Sequence, residues 1–174
     1  MYRAVALVLV SVLAYTATGA SRAELDAKIR ATITEFKAVP AAEELAQDAI
    51  GMLVFPNIIK GGFGIGAEHG RGALLIDGKI TDYYRVTSVS IGFQLGGQAR
   101  RRVVLFMTPE ALKEFRESDG WEVGVDGSVT ALQFGVGKQI DSNTLRDPII
   151  GFTFGNRGLM YDASFEGTKF RKDD

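Results

Sequence analysis

From Gly51 onward the apolar residues recur at every second position, and that spacing commits most of the chain to half-buried strands. Gly51 to Phe55 reads as a short apolar strand stopped by Pro56, which cannot donate to a ladder. In Gly62-Phe63-Gly64-Ile65-Gly66 three glycines share one face and two apolar side chains the other, which predicts tight packing against the glycine face. Leu74 to Ile76 and Lys79 to Tyr84 flank Asp77-Gly78, the pattern of a two-residue hairpin. Val89 to Leu95 alternates again, Val103 to Met107 is an apolar strand, and Trp121, Val123 and Val125 alternate after an Asp119-Gly120 turn. Val129 to Gly137, Ile149 to Phe154 and Leu159 to Phe165 complete the strands. The pattern Phe-x-apolar-Gly occurs at Phe63, Phe93, Phe134 and Phe152; it reads either as a reused β-unit or as chance recurrence in a Gly- and Phe-rich chain.

Helical spacing is confined to three places. Leu25, Ile29, Ile33 and Phe36 form a stripe between Ser21 and Ala38, and Ala41 to Ile50 carries Leu45, Ala46 and Ala49 on one face. Such an N-terminal helix either packs on the core or lies on a membrane. Thr108 as N-cap and Pro109 at the first helical position start a helix that runs to about Arg116. The fold expected is α+β and β-rich. Its core is a mostly antiparallel curved sheet, or barrel- or sandwich-like, with N-terminal helices and one short helix near 109–116.

Ahead of these, Arg3, the apolar run Ala4 to Ala17 and the small residues of Thr18-Gly19-Ala20 have the form of a secretory leader. The run is shorter than the roughly 20 residues a spanning helix needs. Cleavage after Ala20 is expected, with Ala23 as a second position, leaving residues 21–174 as one domain. The chain holds no cysteine, so neither disulfides nor lipid attachment through an N-terminal cysteine is available. The expected location is the periplasm or cell envelope.

Conventional catalysis has little to work with. There is one histidine, His69, set next to Glu68 between a Gly-rich strand and Gly70-Arg71-Gly72 as a turn or surface residue, and no Gly-x-Ser-x-Gly elbow to hold a nucleophile. Without cysteine and with one histidine, no His-Cys zinc site can be assembled, and no cofactor motif appears. The glycines of 62–66 lie inside a strand-like stretch and not at a strand-to-helix turn, as a dinucleotide site requires. Twenty Lys and Arg against 21 Asp and Glu leave no broad basic field for nucleic acid. Any anion site must therefore be local. Arg100-Arg101-Arg102 is expected at a hairpin tip, either as a solvated turn or as a phosphate-binding cluster. Lys60, Arg71 and Arg157 sit beside glycines and have room to reach an anion.

The run Gly51 to Gly66, continued by Ala67-Glu-His-Gly-Arg-Gly72, resembles the opening of the SYLF domain family. So do Ser90 to Gln98, Gly124 to Ser128 and Asn156 to Gly167, in the family's order. Three departures stand out: Asp82-Tyr83-Tyr84 where the family usually has tryptophan, Gln133-Phe134-Gly135 where it often has Gly-Pro, and the triple arginine in place of a polar turn. The resemblance implies a compact β-rich domain whose eukaryotic relatives bind phosphoinositide membranes and in some cases actin. It implies a non-catalytic module for anionic lipid head groups, or alternatively an envelope protein-interaction domain. Lys60, Arg71 and Arg157 fall in the family's motif segments.

Overall fold

Asp77 and Gly78 reverse the chain with φ of 51° and 72°, the mirror-image turn whose twist suits two right-twisted strands. The hairpin they close is the centre of the sheet in a computed structural model that describes residues 21–39, 41–61, 65–91, 98–132, 146–155, 158–159 and 165–173. The strands are β1 (Gly51–Gly61), β2 (Ile65–Ile76), β3 (Lys79–Ile91), β4 (Gln98–Phe106), β5 (Trp121–Glu122), β6 (Thr130–Ala131), β7 (Ile149–Gly155), β8 (Gly158–Leu159) and β9 (Thr168–Lys172). They form one curled sheet in the order β5-β9-β3-β2-β1-β4-β7-β6, with β8 paired to β7. Every pairing is antiparallel except β6 with β7. The architecture is the α+β, β-rich one that the alternation predicts.

Helices pack on both faces of the sheet. Helix α1 (residues 21–37) and α2 (Ala42–Asp48) lie over one, where Ile29, Phe36 and Leu45 pack with Val54, Leu105, Ile150 and Phe154. Phe36 meets Phe152 and Phe154 edge-on at centroid distances of 4.8 and 5.8 Å. The amphipathic N-terminal stripe is thus spent on the core. Helix α3 (Pro109–Glu117) covers the opposite face. Its N-cap forms as the sequence predicts, with Thr108 Oγ1 accepting from the Ala111 N–H at 3.3 Å. Phe115 on α3 touches the rings of Tyr84, Phe106, Trp121 and Phe170, with centroids 4.8 to 6.0 Å apart. The two faces are called the α1 face and the α3 face below.

Several boundaries differ from the sequence reading. Pro56 does not end β1; a shift of register between Val54 and Asn57 takes it up, so the missing N–H falls where the ladder is already interrupted. The alternation of Trp121, Val123 and Val125 is strand only at its start. Gly124, at φ 89°, donates to the Gly127 carbonyl at 2.7 Å, and the tight turn leaves Val125 exposed. Strand β9 had no signal, because Thr168 to Lys172 alternates buried Thr and Phe with Lys and Arg. The proposed leader, Gly62 to Gly64, the Phe-x-apolar-Gly patterns beginning at Phe93 and Phe134, and residues 133–145 and 160–164 lie outside the described residues.

The Gly62–Gly66 face falls largely outside the described residues, but glycines that admit no side chain do occur further along β2. A Cβ on Gly72 would stand 2.2 Å from the Val54 carbonyl oxygen and 2.5 Å from the Phe55 ring, and one on Gly70 2.6 Å from the Asn57 oxygen. These contacts are with backbone and a core aromatic, so neither neighbour can yield cheaply. Gly72→Ala is expected to destabilise the fold by about 1–3 kcal/mol through overpacking. Gly61→Ala, with nothing within 4 Å, is expected to be near neutral. Urea denaturation midpoints of the two variants decide the matter; equal midpoints would refute it.

Candidate functional site

The triple arginine is not a hairpin tip. Arg100, Arg101 and Arg102 lie within β4, where Arg102 opposes Phe55 of β1 and Thr153 of β7. Strand alternation sends Arg100 and Arg102 to the α3 face and Arg101 to the α1 face. Arg102 is 2% exposed. The two α3-face arginines share one carboxylate, that of Glu68 on β2. Arg100 Nη1 is 3.3 Å from Oε1 and Arg102 Nη2 is 3.1 Å from Oε2. Ser88 on β3 donates to the same Oε2 at 3.0 Å, Arg102 Nη1 donates to Thr168 Oγ1 on β9 at 3.4 Å, and the Arg102 guanidinium stands 5.0 Å over the Phe165 ring. Burial lowers the Arg102 pKa against the opposing pull of Glu68, though an arginine stays charged near neutrality. Lys60, half-buried on β1, is paired in register with Glu68 and stands at the rim of this buried group.

On the α1 face Arg101 is a clamp. It reaches Glu35 of α1 at 3.0 Å and the Gly155 carbonyl at 3.1 Å. Arg71 lies on the same face in a different setting. The register places Arg71 of β2 opposite Arg85 of β3, and Arg85 opposite Arg171 of β9, so three arginines form a row across adjacent strands. Like charges directly opposite one another repel. The buried carboxylate of Asp173 offsets this by accepting from Arg71 Nε at 2.7 Å and pairing with Arg85. Burial by itself raises the Asp173 pKa, but hydrogen bonds from Arg85 and Arg71 outweigh it and hold the carboxyl below its ordinary range. The arginines remain accessible: the side chains of Arg71 and Arg85 are 44% and 64% exposed, and Arg171 is exposed.

Further along the sheet, on the same face, stand two of the exposed large hydrophobics among the described residues, Ile59 on β1 and Val89 on β3, the latter four residues beyond Arg85. His69 lies between Ile59 and Thr87 in register, an exposed strand residue and not a turn residue. It borders a shallow depression with Glu24, Lys28 and Arg71, where Glu24 is occupied by Lys28 at 2.6 Å. No group of three or more metal-ligating side chains stands together among the described residues.

The sequence candidates thus separate. Lys60, Arg100 and Arg102 belong to the α3 face, Arg71 and Arg101 to the α1 face, and Arg157 lies outside the described residues. Arg85 and Arg171 were missed. Alternation through Tyr83, Arg85 and Thr87 could have put Arg85 on the Tyr83 face, but Arg171 had no signal because β9 itself had none. Replacing Arg100, Arg101 and Arg102 together by Ser would leave Glu68 buried without its guanidinium partners. Removing one side of a buried ion pair costs about 3–5 kcal/mol. The triple variant is therefore expected to lose that much in urea denaturation, and an unchanged midpoint would show that the cluster contributes nothing to the fold.

No curated protein matches the chain. A family model does: residues 87–174, from the end of β3 through α3 to β9, match Ysc84, described as Las17-binding protein actin regulator. That span covers half of the sequence and includes Arg100 to Arg102, Arg171 and Asp173. The match agrees with the motifs quoted from the sequence, and the chain belongs to the Ysc84, or SYLF, domain family.

Proposed function

We propose that this chain is an exported, non-catalytic module of the bacterial cell envelope that docks on anionic lipid head groups through its α1 face. The row Arg71–Arg85–Arg171 carries the reading: three guanidinium groups on adjacent strands, Arg71 and Arg85 held by one buried carboxylate, with the exposed Ile59 and Val89 further along β1 and β3 on the same face. Planar guanidinium groups suit phosphate oxygens, and the two apolar side chains suit the boundary below the head groups. The lipid- and actin-binding habit of the family supports a binding role. The form of residues 1–20 supports export. Collecting the protein from the envelope and sequencing its N-terminus tests that part, with Ser21 expected and Met1 sinking it.

Each basic residue near an anionic membrane contributes about 1 kcal/mol. Arg85→Gln with Arg171→Gln is therefore expected to weaken binding to phosphatidylglycerol vesicles by more than about tenfold, while Arg71 still holds Asp173 and the fold persists. Salt at 1 M, where the Debye length is roughly 3 Å, is expected to abolish binding. Co-sedimentation of wild type and variant with anionic and neutral vesicles reads both effects. If wild type ignores anionic vesicles at low salt, the lipid reading fails. A protein partner, which the family description of a Las17-binding protein favours, then becomes the better account.

A further inference from the structure

A second surface is built differently. Between α1, the end of α2 and the β2–β3 hairpin runs an open groove of about 950 Å³, near the upper end of the roughly 300–1,000 Å³ usual for small-molecule sites. Among the polar Thr34, Gln47 and Thr81, its lining carries Ile33, Ala46, Met52, Ile80 and Tyr83, partly buried hydrophobics packed on the core beneath. Its rim is cationic on both walls. Arg30 and Lys37 lie two turns apart on α1, and Lys79 stands on the hairpin opposite. All three are exposed, and none has an ion pair among the described residues. Two carboxylates also line the groove. Asp26 accepts the Tyr83 hydroxyl at 2.9 Å, and Asp77 sits in the hairpin turn.

We infer that this groove binds a single-chain anionic amphiphile, a fatty carboxylate or alkyl phosphate, with its chain on the apolar floor and its head at Arg30, Lys37 and Lys79. Charge complementarity selects the head. Half-covered apolar side chains select the tail, because covering them removes apolar area from water. A purely polar anion would leave that floor wet, and a neutral chain would leave the three cations unanswered. The inference does not rest on the arginine row, with which the groove shares no residue.

Calorimetric titration of the full chain tests it, using dodecanoate and dodecyl phosphate below their micelle concentrations and with no vesicle present. Both are expected to bind, and inorganic phosphate at least tenfold more weakly than dodecyl phosphate. The triple variant Arg30→Gln, Lys37→Gln, Lys79→Gln replaces exposed side chains and is expected to fold, with affinity for dodecanoate reduced at least tenfold. Ile33→Gln, which makes the apolar floor between Arg30 and Lys37 polar, is expected to weaken it as well; should that variant fail to fold, the triple variant still decides. Absence of dodecanoate binding by wild type overturns the inference. So does inorganic phosphate binding as tightly as dodecyl phosphate, or a folded triple variant binding dodecanoate like wild type.

Discussion

A carboxylate on the covered face of a sheet has to be answered where it stands, and Glu68 is answered from two other strands, with a third joined through Arg102. Arg100 and Arg102 reach it from β4 and Ser88 from β3, while Arg102 in turn binds Thr168 on β9. None of these strands can slip by one residue without sending its member of the group to the opposite face. The arrangement therefore fixes the register between strands whose glycines and small residues would otherwise allow alternatives. Desolvating these charges is costly, and the attraction between them returns little beyond that cost. What the cluster supplies is a single answer to where each strand sits.

Around that polar centre the sheet is closed by two apolar layers of different character. The α3 face gathers rings on Phe115, which touches aromatic residues from β3, β4, β5 and β9. The α1 face is more aliphatic, with Phe36 set into Phe152 and Phe154. Polar tethers place α1 over only part of its face: Arg101 holds Glu35, and the Tyr83 hydroxyl holds Asp26. Beyond the helix, β2, β3 and β9 present Arg71, Arg85 and Arg171 to solvent. Between the helix and the hairpin, the groove keeps its floor half-covered. Both proposed binding surfaces thus follow from how much of the sheet a helix of this length can cover.

Arginine serves opposite purposes in this molecule according to strand parity. On the α3 face it is buried beside a shared carboxylate and belongs to the fold. On the α1 face Arg101 clamps α1, while Arg71, Arg85 and Arg171 remain in water, with Asp173 beneath Arg71 and Arg85 to hold two like charges side by side. The densest basic run, Arg100 to Arg102, is accordingly the poorer candidate for a ligand, and isolated arginines on separate strands are the better one. The shared carboxylate also preorganises Arg71 and Arg85, since guanidinium groups already held in place lose less freedom on meeting phosphate.

The sequence by itself determined the strand-rich class, the Asp77-Gly78 hairpin, the Thr108-capped helix and the amphipathic first helix, because each rests on local periodicity or a turn requirement that a few residues state completely. The family was also legible in its glycine-bearing segments. Tertiary structure decided what local patterns cannot carry. Pro56 continues a strand because a register shift absorbs its missing N–H, and Arg102 is buried because Glu68, thirty-four residues earlier, lies within reach across the sheet. Arg85 meets Arg71 and Arg171 only through strand pairing, and β9 is a strand because β3 and β5 offer it edges, not because its own sequence asks for one. Which charges are spent on the fold and which are left for a ligand is a matter of register, and register belongs to pairs of strands.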